Sequence, residues 1–163
     1  MKLTSHLMAS TGTSILLYPF LGMDAGFFWA SSILVDADHY LDYLYRNGLK
    51  DFGVKRMFIF HRILSEGAAG APNFLGLNIM HTLEFLLPVG ALAALTGYPS
   101  VWAAFWGLVF HIALDLIWLS RRGILTKRAL SIIEYAIRWN LMKRRGWDPE
   151  RPYVSALEST LNE

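Results

Sequence analysis

The chain contains no cysteine among its 163 residues, which excludes disulfides and thiolate-held metals alike. Charge is also scarce. Asp, Glu, Lys and Arg make up 17% of the residues, against about 25% in an ordinary soluble domain. A net charge of only +2, with no long run of Lys and Arg, argues against a nucleic-acid partner. Internal repeats and low-complexity segments are missing too. What fills the chain instead is apolar: 54% hydrophobic and 14% aromatic residues, with a mean hydropathy of +0.34. A basic loop and a polar tail dilute that figure, so the apolarity is concentrated in runs.

Four runs are each about 20 residues long, the length a helix needs to cross a bilayer. They cover residues 3–23, 25–45, 75–95 and 101–120. The first carries Ala9, Ser10, Gly12 and Ser14, small residues that suit close helix approach. Lys2 precedes it as in a signal peptide, but His6 interrupts it and residues 22–26 make a poor cleavage site. It therefore reads as a span. Pro88 predicts a kink in the third run. Between runs two and three, Lys50, Lys55, Arg56 and Arg62 surround Phe58, Ile59 and Phe60. That mixture predicts a short interfacial helix, ended by the flexible turn at residues 67–72.

Beyond Arg122 the pattern changes. Leu125, Ala129, Ile132, Ile133, Ala136, Ile137 and Leu141 share one helical face, opposite Lys127, Arg128, Glu134, Arg138, Lys143 and Arg144. This is a basic amphipathic helix, lying on a membrane surface or on the bundle. Residues 147–163 form a polar tail without a chemical motif. The predicted fold is all-α: an integral membrane bundle of four transmembrane helices, a cytoplasmic interfacial helix and a basic amphipathic C-terminal helix. The corresponding division is residues 1–122, 123–146 and 147–163.

Lys and Arg occur before run one, between runs two and three, and after run four, but not in the other two turns. The positive-inside rule then predicts cytoplasmic termini in a multi-pass protein. At about 1.5 Å per residue, this places all five histidines in the inner half of the membrane. The densest stretch is Val35 to Asp42, where Asp36, Asp38, His39 and Asp42 fall within two turns. His81 with Glu84, and His111 with Asp115, are three and four residues apart, spacings that present two side chains on one helical face. Carboxylates in an apolar segment are costly unless a cation sits among them. The expectation is a divalent metal held by His and carboxylate oxygen, which suits zinc, with manganese or iron as alternatives. So many donors allow one ion or two. An intramembrane proton or ion pathway, a haem held by two histidines, and a soluble chain with these helices in a larger core remain open.

The order His6, D-A-D-H at Asp36 to His39, H-R at His61-Arg62, H-T-L-E at His81 to Glu84 and H-I-A-L-D at His111 to Asp115 resembles the prokaryotic membrane-bound metal-dependent hydrolases. That family is distantly similar to zinc-dependent phospholipase C. The resemblance covers about residues 6–115. It implies an inner-membrane protein, acting at the cytoplasmic leaflet on a small-molecule or lipid-like phosphoester, with membrane lipids as neighbours. Matching positions are His6, Asp36, Asp38, His39, His61, His81, His111 and Asp115. On that reading His6, Asp36, His39, His111 and Asp115 hold the metal, with Asp38 and His81 as further or bridging ligands. Glu84 is the expected general base, Asp42 orients a ligand, and Arg62 grips a phosphate oxygen. The competing class is non-enzymatic: a metal or proton carrier, or an assembly factor with a structural metal.

Overall fold

A computed structural model describes residues 3–67 and 71–162. Lys2, residues 68–70 of the predicted turn and the last residue of the tail lie outside them. The eight α-helices are α1 (Leu3–Leu21), α2 (Ala25–Leu34), α3 (Ala37–Arg46), α4 (Val54–Gly67), α5 (Leu83–Thr96), α6 (Pro99–Arg121), α7 (Ile132–Arg144) and α8 (Arg151–Asn162). An isolated parallel bridge between Gly76 and Arg128 is the one β-pairing among the described residues. The chain forms two compact units, Met1–Asp36 with Ile79–Arg122, and Ala37–Asn78 with Gly123–Glu163. This division is interleaved, whereas the sequence-based one was sequential, with cuts after residues 122 and 146.

The first unit holds α1, α2, α5 and α6. Gly22, at φ +54°, opens a 3-10 turn at Gly22–Asp24. There the chain folds back, so that Trp29 Nε1 donates to Thr11 Oγ1 (3.0 Å) and Ser14 Oγ to the Ala25 carbonyl (2.8 Å). These pairings are antiparallel, and α1 and α2 form a helical hairpin. The α6 helix buries Ala103, Gly107, Leu108, His111, Ile112, Asp115 and Leu119, the three-and-four spacing of one helical face. Its closest approach to α2 is at Gly107, where an added Cβ would stand 2.2 Å from the Phe28 carbonyl oxygen and from Ser31 Oγ. Of the small-residue stripe expected to allow close approach in run one, Ser10 is buried and Ser14 reaches the Ala25 carbonyl, whereas Gly12 has nothing within 4 Å of its Cβ position.

Polarity in this unit is inverted. Of the nineteen residues of α1, the buried ones are His6 and Ser10, while Met8, Ile15, Leu16 and Phe20 are 67–84% exposed. A helix that turns its apolar side chains outward and its imidazole inward is built for an apolar surrounding. By length and composition two helical segments are apolar enough to cross a membrane, Leu3–Arg46 and Pro99–Arg121. The first is the α1–α2 hairpin together with α3, so its 44 residues are not one rod. The predicted four spans of about 20 residues are met in length by α1 and α6, of 19 and 23 residues. They are not met by α2 and α5, of 10 and 14 residues. The second run breaks at Val35–Asp36. The third begins as irregular chain because Gly76 bonds elsewhere, donating to the Lys127 carbonyl (2.8 Å) and accepting from Ala129 (2.9 Å). Those backbone groups are satisfied across the chain and leave the helix.

The second unit packs α3, α4, α7 and α8 around Tyr43, Met57, Phe60, Leu64, Tyr153 and Ala156. The predicted interfacial helix is α4. The segment expected to be a motif-free polar tail is the helix α8, which buries Tyr153, Ala156 and Thr160. Their spacing of three and four is a helical stripe, too narrow and too polar to register as a hydrophobic run. Tyr153 Oη donates to the Leu75 carbonyl (2.7 Å), and the Arg46 guanidinium lies 3.7 Å from the Tyr153 ring centroid.

Asp51 closes the α3–α4 connection. It accepts from Tyr43 Oη (2.5 Å), the Gly53 amide (2.9 Å) and Arg56 Nη1 (3.1 Å). The tyrosine hydroxyl first, then the Gly53 amide and Arg56, hold its carboxyl below the usual 3.8. A carboxylate depressed in the folded state contributes stability above its unfolded pKa and loses it as pH falls through the folded value. Thermal melting should therefore weaken as acid is taken below about pH 4. Asp51→Asn should flatten that decline, and an unchanged acid slope would show that other groups set it.

Candidate metal centre

Five of the predicted site residues meet inside the first unit. His6 comes from α1, Asp36 from the turn that ends α2, His81 from the 3-10 turn Ile79–His81, and His111 and Asp115 from α6. His6, His81, His111 and Asp115 are buried at 0–4% exposure, whereas the Asp36 side chain keeps 19%. The cluster thus opens at Asp36 and is closed behind it.

His111 fixes the chemistry. Its Nδ1 donates to the Ser32 carbonyl at 2.6 Å, so the second nitrogen, Nε2, carries the lone pair. That lone pair makes no hydrogen bond with any described residue, yet it stands 3.3 Å from Asp36 Oδ1 and 4.0 Å from Asp115 Oδ2. His81 Nε2 is 3.8 Å from Asp36 Oδ1 and 3.7 Å from Asp115 Oδ2. Ligand atoms sharing an ion at 2.0–2.2 Å stand about 3 to 4 Å apart, and these separations fall in that interval. A lone pair facing a carboxylate oxygen at such range is repulsive unless a proton or a metal cation lies between them. The donor set, imidazole nitrogen and carboxylate oxygen with an anchored back side to one imidazole, is that of a metal centre.

Two overlapping triads fit an ion: His6, Asp36 and His111, and His81, His111 and Asp115. His111 has one nitrogen left to offer, so both triads compete for the same ligand atom. His6 stacks on His111 with ring centroids 3.9 Å apart, and its Nε2 lies 3.0 Å from Asp115 Oδ1. Asp115 therefore has one oxygen against His6 and the other toward His81 and His111.

Neither triad includes the remaining candidates. Asp38, His39, His61, Asp42 and Arg62 belong to the second unit. Asp38 is buried, with His39 Nδ1 at 3.0 Å and Asn78 Nδ2 at 3.4 Å from its Oδ1. His61 Nε2 donates to the His39 carbonyl (2.7 Å). Asp42 accepts from Arg46 Nε on its own helix (3.2 Å), and Arg62 is exposed on α4. The helix break at Val35–Asp36 is the physical reason: it separates Asp36 from the Asp38–His39 pair expected to share its helix. Glu84 is half-buried in the first turn of α5, but His81 precedes that helix, so their three-residue spacing does not put both on one helical face. Neither triad contains Glu84. Sequence reasoning missed Ser32, whose contribution is a backbone carbonyl and leaves no residue-type signal, and Asn78, which had no visible partner.

No protein family, characterised protein or solved structure matches this chain. Its chemistry is therefore read from its own geometry: an all-helical protein with a buried His/Asp cluster suited to holding a metal ion.

Proposed function

We propose that the chain is a membrane-embedded metal-dependent hydrolase of the cytoplasmic membrane, acting on a phosphoester such as a lipid-like substrate. The observation that carries the proposal is the His111 lone pair facing Asp36 at 3.3 Å, in a pocket that joins His81 and Asp115. The resemblance of the same residues to membrane-bound metal-dependent hydrolases supports it, as does the outward apolar surface of α1. Zinc is the first candidate, with manganese or iron next, since every donor is nitrogen or oxygen.

Asp36, His111, His81 and Asp115 would hold the ion, with His6 steadying Asp115. Bound there, a divalent cation supplies positive charge to a developing oxyanion and acidifies a water at neutral pH. The Ser32 carbonyl keeps His111 in one tautomer and one orientation. The residual exposure of Asp36 gives the substrate a side of approach, which a closed structural site would lack. Glu84, in the same unit, is the base that takes the proton of the attacking water.

The test begins with metal content after purification in detergent, followed by hydrolysis of phosphoester substrates, phospholipids included. Glu84→Gln should retain metal and lose turnover by roughly 10²- to 10⁴-fold. Metal loss in that variant would make Glu84 a ligand. Full turnover would remove it from the reaction. Bound metal with no hydrolysis of any phosphoester would leave a structural or carrier site.

A further inference from the structure

The α7 helix is mounted inside out. Its Glu134, Tyr135, Arg138, Trp139 and Met142 are half-buried toward the protein, where Trp139 packs on the core of the second unit. Its aliphatic side chains face away: Ile132, Ile133, Ile137 and Leu141 are 40–66% exposed, and Ala136 between them is exposed as well. A helix resting on the core of its own unit through its aliphatic face would do the reverse. An aliphatic ridge of this kind needs an external cover.

We propose that this ridge lies in the surface of an anionic lipid leaflet. Charge selects that occupant. Residues 132–145 carry Arg138, Lys143, Arg144 and Arg145 against Glu134 alone. Glu134 is neutralised locally, accepting from Arg138 (2.6 Å) and from the Leu130 amide (2.9 Å). The exposed charges at the end of the ridge are Lys143, Arg144 and Arg145. Lys143 lies 3.7 Å from the exposed Glu150 carboxylate, which leaves Arg144 and Arg145 as the cations without a carboxylate partner on this helix. Apolar side chains on one face with cations at its edge are what an interfacial helix offers to acidic headgroups. Chain continuity agrees. The α6 helix, apolar enough to cross a membrane, ends at exposed Arg121 and is followed by exposed Arg122, and α7 begins after ten intervening residues. This placement rests on the membrane reading of α6 and is independent of the metal and of hydrolysis.

A chain without cysteine allows clean spin labelling. Ile133→Cys, Ile137→Cys and Leu141→Cys report the ridge, and Ser159→Cys, on the exposed side of α8, reports water. The full chain is reconstituted into nanodiscs of phosphatidylglycerol with phosphatidylcholine, and of phosphatidylcholine alone. Collision with oxygen and with a water-soluble nickel chelate is then read by power saturation. In the anionic discs the three ridge labels should favour oxygen several-fold over nickel, and the Ser159 label the opposite. In phosphatidylcholine alone the ridge labels should move toward the Ser159 value. Ridge labels as nickel-accessible as Ser159 in anionic discs would overturn the proposal. Equal embedding in both lipids would overturn its electrostatic part. Dipolar broadening between singly labelled chains would replace the lipid with a second copy. A chain that fails to co-elute with discs would instead remove the membrane reading itself.

Discussion

Asp115→Asn is expected to lower metal affinity by at least about 100-fold, since loss even of an outer partner typically costs 10- to 100-fold. Asp115 touches every part of the cluster: one oxygen lies 3.0 Å from His6, the other 3.7 Å from His81 and 4.0 Å from His111. An amide presents one oxygen and a donor that repels a cation, so it removes a ligand and leaves Asp36 as the one carboxylate among the three imidazoles. Metal binding also stabilises the fold, by about 2.7 kcal/mol when free metal stands at 100 times the Kd. Chelation should therefore lower the melting temperature of the wild type and have little effect on Asp115→Asn. His111→Gln should behave alike, because it deletes the nitrogen shared by both triads. Equal metal content in wild type and both variants would separate the ion from this cluster.

Gly107→Ala should disrupt the fold of the first unit more than any other single-methyl addition there. The new Cβ would meet the Phe28 carbonyl and Ser31 Oγ at 2.2 Å, over an ångström inside ordinary contact, and one of the two is backbone. Overpacking of this kind typically costs 1–3 kcal/mol, and a collision with backbone belongs at or beyond the upper end. The α2–α6 seam also positions the Ser32 carbonyl on His111 Nδ1, so metal retention should fall together with stability. Gly12→Ala is the matched control. It is helical, exposed and has open space at Cβ, and should gain about 0.5–1 kcal/mol from helix propensity. Thermal unfolding in detergent compares the two directly. Equal stabilities would mean that the α2–α6 approach is looser than described.

The helical class was legible because each apolar run exceeds the length of a strand and carries helical spacing. The cluster was legible because an imidazole or carboxylate stands out against apolar neighbours: His6, Asp36, His81, His111 and Asp115 were all marked by that contrast. Helix boundaries were less legible. Nothing in V-D-A-D-H announces the break at Val35–Asp36, since each residue there is compatible with continuing the helix, and the interruption is a tertiary effect. Residues 75–82 looked like the start of a span for the same reason, because composition does not reveal that Gly76 bonds across to Lys127 and Ala129. The α8 helix hid behind its exposed polar side chains. The amphipathic pattern after residue 122 was only partly right. The helix starts at Ile132, while Leu125 and Lys127 lie in a 3-10 turn and Arg128 and Ala129 in extended chain against Gly76. Periodicity alone does not say which face of α7 turns inward.

One physical theme unites the two units. Polar groups are drawn inward at His6, His111 and Asp115 in the first and at Arg46 in the second, while aliphatic side chains of α1 and α7 are presented outward. Such an arrangement places the buried polar groups where electrostatic interactions are strong.

The central claim, that an ion joins these imidazoles and carboxylates, is tested most directly by X-ray absorption at the metal edge on the purified protein. The account predicts a shell of nitrogen and oxygen donors at about 2.0–2.2 Å, with outer-shell scattering from imidazole and no sulfur. It also predicts loss of the imidazole signal in His111→Gln. A purified, folded chain that retains no metal on reconstitution, or one whose spectrum lacks imidazole scattering, would contradict it.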